Sequence, residues 1–148
     1  MRVLIVILAF FFMGFSDPAM AAEKGIGVIK NIKGPVFIER EKASIPAKMS
    51  DQLFENDIIV TGKSGSMGAV LMDNSVISSG PNTRLILSQF VFDPEGKKQS
   101  STVQITRGTL TYLSGLIGKH DIQAVKLITP TAVCGLRGTH VAVQVEEQ

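Results

Sequence analysis

The chain has 148 residues, a formal net charge of +2 at pH 7, 45% apolar and 6% aromatic residues, one cysteine and no tryptophan. A nucleic-acid surface needs a basic stripe interleaved with stacking rings, and here the Lys and Arg are scattered among few aromatics, which argues against that partner. A single cysteine excludes an intramolecular disulfide, so the stability of what reads as one ordinary-sized domain has to come from packing.

At the start of the chain, Arg2 precedes an unbroken apolar run from Val3 to Phe15, followed by Ser16-Asp17-Pro18 and the small-x-small site Ala19-Met20-Ala21. This order predicts a secretory signal peptide over residues 1–21, cleaved after Ala21, and a domain over residues 22–148 in the periplasm or outside the cell. The apolar run falls short of the roughly 20 residues that cross a bilayer, so no stable membrane insertion is expected after cleavage. No cysteine stands at the cleavage site to carry a lipid. Arg2 and Asp17 leave together, so the mature charge stays at +2.

Beyond Ala22, short β-branched runs broken by Gly, Pro, Asn and Ser replace any helical spacing of apolar residues, which predicts an all-β chain. The expected strands are Gly27 to Ile32, Val36 to Glu39, Asp57 to Thr61, Ala69 to Met72, Ser75 to Ser78 and Arg84 to Phe92. They continue with Thr102 to Thr106, Leu110 to Leu113, Val125 to Ile128 and His140 to Val145. In Thr102 to Thr106 and in His140 to Val145 the valines and isoleucine alternate with polar or small residues, giving one buried and one wet face. Asp73-Asn74 reads as a tight turn, Asp93-Pro94-Glu95-Gly96 as a longer one, and Glu39 to Ser50 as a solvated excursion. A helical turn is expected in that excursion or at Leu113 to Gly118. Arg107-Gly108-Thr109 and Arg137-Gly138-Thr139 echo one another. With several glycines at strand ends and short strands at regular spacing, the echo favours a solenoid-like β-roll of short strands with glycine corners over a sandwich of long hairpins. The chain ends at Glu146-Glu147-Gln148, almost on the last strand, and no further domain is expected downstream.

Each candidate for chemistry has a plainer reading. Gly62-Lys63-Ser64 resembles the tail of a phosphate loop, but the residue five places before Gly62 is Asp57 where that loop needs glycine. His120, His140 and Cys134 lack zinc spacing, and both histidines read as surface or edge residues. No serine lies in a Gly-x-Ser-x-Gly elbow. Cys134, between Val133 and Gly135, is expected as a small buried core residue, inert as a nucleophile. Arg137, between Leu136 and Gly138 in an apolar stretch, is expected half-buried, its fork holding backbone carbonyls or a carboxylate such as Asp57 or Asp73. The other reading of Arg137 is recognition of an anion or a partner. No catalytic constellation, metal site or cofactor is expected.

The string Thr129-Pro130-Thr131-Ala132-Val133-Cys134-Gly135-Leu136-Arg137-Gly138-Thr139, after Val125-Lys126-Leu127-Ile128, resembles the end of the FecR-like periplasmic domain. Earlier segments fit in order, from Gly27-Val28 and Gly34-Pro35-Val36 through Leu53 to Gly62, Ala69 to Ser75 and Arg107-Gly108, so the resemblance spans about Gly27 to Val145. Asn56 departs from it, standing where the family usually has Gly, and so does Cys134, where a small apolar residue is usual. The resemblance implies an all-β, solenoid-like, non-enzymatic domain on the periplasmic side that contacts other envelope proteins. It marks Thr129, Pro130, Gly135, Arg137, Gly138 and Thr139 as structural or partner-binding. The best-known members also carry a cytoplasmic regulator and a membrane helix; neither is expected in this chain, so only the module is expected to carry over.

Two functions are therefore set side by side. The first is a protein-binding envelope module that uses sheet edges or a solenoid face. The second is a carbohydrate or cell-wall binder, for which clustered exposed aromatics would be needed, and Tyr112 and the phenylalanines show no such cluster.

Overall fold

The computed structural model describes residues 22–95, 98–121 and 123–147. The expected signal peptide lies outside these residues, as do Gly96 and Lys97 of the longer polar turn and the side chain of His120. The elements are β1 (Gly27–Lys33), β2 (Val36–Arg40), β3 (Ala43–Pro46), β4 (Gln52–Leu53), β5 (Ile58–Thr61), β6 (Ser66–Leu71) and β7 (Val76–Ser79). They continue with β8 (Arg84–Val91), β9 (Ser100–Leu113), α1 (Ile117–His120), β10 (Val125–Ile128), β11 (Val133–Gly135) and β12 (His140–Val145). The chain is thus all-β, with its one short helix overlapping the Leu113 to Gly118 turn.

The strands form one sheet in the order β3-β2-β5-β8-β9-β7-β6-β1-β4, with β10 and β12 joined to β9 and β11 to β10. This order follows from four long strands, each bent double. β1 and β2 bend at Gly34, β5 and β6 at Gly62 to Gly65, β7 and β8 at Gly80 to Thr83, and β9 within itself at Gly108. Each bent strand pairs antiparallel with the next, first limb with second and second limb with first: β1 with β6 and β2 with β5, then β5 with β8 and β6 with β7. β9 closes the series by pairing with β8 through Ser100 to Arg107 and with β7 through Leu110 to Leu113.

The bends lie side by side along one fold line and are stitched there by threonines. Thr61 Oγ1 donates to the Gly80 carbonyl at 2.6 Å and accepts from the Thr83 amide at 2.9 Å. Thr83 Oγ1 in turn accepts from the Thr109 amide at 3.0 Å. Gly108 has φ of +91°, a region closed to side chains, and a Cβ there would collide with Thr83. Its bend also flips the phase of β9. Ser101, Val103 and Ile105 are buried before it, and Leu110 and Tyr112 after it, so both limbs turn their apolar side inward.

The outcome is a curled, antiparallel half-barrel whose two limbs face one another across the core. Stacked coils of the expected solenoid or β-roll would pair in parallel from turn to turn. Among the described residues every strand pair is antiparallel except β9 with β10. The glycines do make corners, but they fold long strands over instead of turning a coil. Between the limbs, Ile29, Leu53, Ile59, Ile77, Leu85, Ile105 and Ile117 are wholly buried, each such side chain contributing about 1.5–3 kcal/mol.

One side of the half-barrel is closed and the other open. On the closed side, residues 47–51 cross from one limb to the other, with the Ala47 amide bonded to the Val36 carbonyl and the Ser50 amide to that of Ile29. On the open side, the limbs end in β11 and β12, joined only by residues 136–139.

Candidate functional site

The open side is built from the segment that resembles the family motif. Thr129 to Ala132 is a tight turn joining β10 to β11: the Thr129 amide donates to the Ala132 carbonyl at 2.8 Å, and Thr129 Oγ1 accepts from the Ala132 amide at 3.0 Å. Pro130 occupies the position where a fixed φ favours such a turn. Gly135 lies in β11, facing Lys126 of β10.

Arg137 sits on a loop pinned on both sides. The Leu136 amide bonds the Val125 carbonyl at 2.9 Å and its side chain is only 5% exposed, while the Gly138 amide bonds the Gly118 carbonyl at 3.1 Å. Gly138 has φ of +54° with open space where a Cβ would point. Thr139 closes the loop, its amide donating to Ser114 Oγ at 3.0 Å and its carbonyl accepting from the Ser114 amide at 3.1 Å. These contacts hold the arginine outward. Arg137 is exposed and takes part in none of the three ion pairs among the described residues, which corrects the expectation of a half-buried fork.

The physical reason is that both acids offered as its partners are already occupied. Asp57, wholly buried, receives Arg40 Nε and Nη2 at 2.7 Å each and the Phe54 amide at 2.8 Å, with the guanidinium 4.3 Å from the centre of the Phe54 ring. That ion pair raises the Arg40 pKa. Asp73, also wholly buried, accepts the Ser75 amide at 3.0 Å and the Ser75 hydroxyl at 2.7 Å. Ser75 Oγ accepts from Tyr112 at 3.1 Å and from the Gly115 amide at 2.9 Å, and Ser101 lies 3.3 Å from the Tyr112 hydroxyl. Burial pushes the Tyr112 pKa up, against the two serine hydrogen bonds. Sealed from solvent, this network ties the β6–β7 turn to the end of β9 and fits a structural role. Nothing in the local pattern of Asp73, Ser75, Ser101 and Tyr112 marks them as a set, because they meet only through the pairing of β7 with β9.

Cys134 is the second correction. It is exposed, not buried, because β11 is an edge strand whose three residues all face solvent. Its neighbour Val133 is 67% exposed. Gly62-Lys63-Ser64 forms a corner turn, the Gly62 amide bonding the Pro35 carbonyl and the Gly65 amide the Gly62 carbonyl. His140 is exposed at the start of β12, and His120 ends α1. Among the described residues no group of three or more His, Cys, Asp or Glu is placed to hold a metal ion. Tyr112, at 1% exposure, offers no ring face to a sugar, while the mostly buried Phe90 lines a pocket with Phe92, Glu55 and Met72.

β12 completes the open side. It pairs with β9 from His140 opposite Leu113 to Val145 opposite Gly108. The bonds between Thr139 and Ser114 fix the alternation of this ladder, so the backbone groups of Val141, Val143 and Val145 turn toward β9. Those of His140, Ala142 and Gln144 point outward, at the free edge. The three valines are half-buried against the core, and His140, Ala142 and Gln144 are exposed. Between β12 and the β10–β11 turn lies a cleft of about 550 Å³, lined by Thr106, Thr129 to Ala132, Cys134 and Val143 to Glu147.

The fold and this cleft define an all-β domain with one open side formed by its C-terminal strands. The chain belongs to the FecR protein family, whose model matches residues 57–148, from the buried Asp57 through β12. That family is one of regulatory and signalling modules associated with the cell envelope. No curated protein and no solved structure matches the chain. No helix among the described residues is long and apolar enough to cross a membrane. Asn56, where the family usually has Gly, has φ of +67°, a left-handed position that asparagine tolerates better than most residues, so the departure keeps the geometry.

Proposed function

We propose that the protein is a periplasmic, non-catalytic regulatory module, working as residues 22–148 after removal of residues 1–21, that recognises another envelope protein at its open side. The observation that carries this reading is that the most family-specific segment lies on the surface while its backbone is pinned. Leu136 and Gly138 are tied to the body of the domain, yet Thr131, Val133, Cys134 and Arg137 face solvent, and Thr131 and Cys134 line the cleft. A segment that served packing alone would turn its side chains inward. An added strand along β12 would take its affinity from the outward backbone groups of His140, Ala142 and Gln144, and its selectivity from Arg137 and the cleft lining.

Affinity capture from envelope extract, using the full chain expressed with a C-terminal tag, tests the reading. One protein partner in stoichiometric amount, lost on Arg137→Ala or Ala142→Pro, is the expected result. Retention on peptidoglycan or glycan in its place would favour a carbohydrate-binding module and overturn this one.

A further inference from the structure

Among the described residues four strand edges end the two limbs, and three of them are blunted. β4 is two residues long, β3 ends in Pro46 between Lys42 and Lys48, and β11 is three residues long and follows Pro130. Short edges, proline and lysine are the devices by which proteins stop strand addition. β12 has none of them: six residues, His-Val-Ala-Val-Gln-Val, without charge or proline, with the backbone groups of His140, Ala142 and Gln144 facing out. Charges appear only beyond its ends, Arg137 before it and Glu146 and Glu147 after it.

We propose that β12 pairs antiparallel with β12 of a second copy of this chain, about a twofold axis through Ala142. This inference rests on the reading of the open side as a recognition surface, and adds a second copy as the occupant of its β12 edge when no envelope partner is bound there. In that register Ala142 faces Ala142 of the second copy, and His140 faces Gln144. The three outward residues then exchange about six backbone hydrogen bonds. The same register sets Arg137 opposite Glu147 of the second copy, with Glu146 opposite Gly138. Since Glu147 already holds Arg107 at 3.0 Å, each end of the interface becomes an Arg107–Glu147–Arg137 triad. A twofold contact repeats every favourable pair, so the opposite charges at the two ends of one strand make β12 complementary to itself. A parallel pairing would instead put Arg137 beside Arg137 and the glutamates beside the glutamates.

Sedimentation velocity of the purified full chain, over a concentration series reaching the millimolar range, tests this. The expected result is a monomer–dimer equilibrium that weakens with salt. Arg137→Glu and Glu147→Arg should each weaken the dimer by about tenfold, from two like-charge contacts per interface. An equimolar mixture of the two variants should restore it, because both ends then match. Ala142→Pro should leave a folded monomer, since its lost amide faces the free edge and not β9. A circular dichroism spectrum unchanged from wild type checks that it folds. The inference is overturned if the wild type stays monomeric throughout, if the dimer survives Ala142→Pro, or if mixing the charge variants restores nothing. Capture of an envelope protein by a strictly monomeric chain would overturn self-pairing while leaving the recognition reading intact.

Discussion

Arg40 and Asp57 make the tightest ion pair among the described residues, two bonds of 2.7 Å onto a carboxylate with no exposure to solvent. The pair links β2 to the turn before β5, and the carboxylate also holds the Phe54 amide. Asp57→Ala strands a guanidinium over the Phe54 ring and frees that amide, so a loss of about 3 kcal/mol is expected in denaturant unfolding, the low end for a broken buried pair because Arg40 keeps part of its solvent contact. A loss below the noise of the measurement would show the pair to be ornamental. Glu39 gives the opposite case, a carboxylate 35% exposed to solvent and 2.8 Å from Arg84. The Arg84 hydrogen bond holds its pKa below the ordinary 4.5. Its contribution is therefore complete above that value and disappears as pH falls through the lowered one. Wild type and Glu39→Gln should differ slightly at neutral pH and converge in acid, and more salt should shrink the difference. Stability curves that run parallel from neutral to acid pH would contradict this.

At the scale of elements, two glycines at positive φ, Gly108 in the bend of β9 and Gly138 in the loop before β12, act in different ways. At Gly108 an alanine would carry both the left-handed φ and a collision with Thr83, so Gly108→Ala is expected to lose about 3 kcal/mol. At Gly138 only the φ matters, because the space beside it is open, and Gly138→Ala should lose about 1 kcal/mol. Equal losses in thermal unfolding would refute the assignment of Gly108 to the fold line. Most strands were legible because alternation is a local signal: Val125 to Ile128 and His140 to Val145 match the observed β10 and β12. β9 read as two strands because Arg107-Gly108-Thr109 has the composition of a turn, and it is a bend within one strand. β3 was missed because its hairpin turns through Glu41 and Lys42, both at positive φ without the usual Asn-Gly signal. β4 and β11 are too short to show a period at all.

For the whole molecule, strand content was visible in the sequence and strand pairing was not. The choice between a coil and a doubled-over meander lies in contacts such as Arg84 with Arg107 or Ile77 with Tyr112, between residues far apart in the chain. The same limit governed the site. The Thr129 to Thr139 segment stood out by its resemblance, but an apolar run around Cys134 and Arg137 looks like core until β11 is known to be an edge. Charge could not reveal that Asp57 was already taken by Arg40, across two strands. What the completed fold adds is an asymmetry: one side of the half-barrel is sealed by residues 47–51, and the other is left to the cleft between the β10–β11 turn and β12. Recognition at that open side is the central claim. Photo-crosslinking in living cells tests it most directly, with a benzoylphenylalanine placed in turn at Thr131 and Gln144 on the open side and at Ser44 and Lys48 on the sealed one. Protein adducts confined to Thr131 and Gln144 are the predicted result, and adducts arising from Ser44 and Lys48 alone would contradict the account.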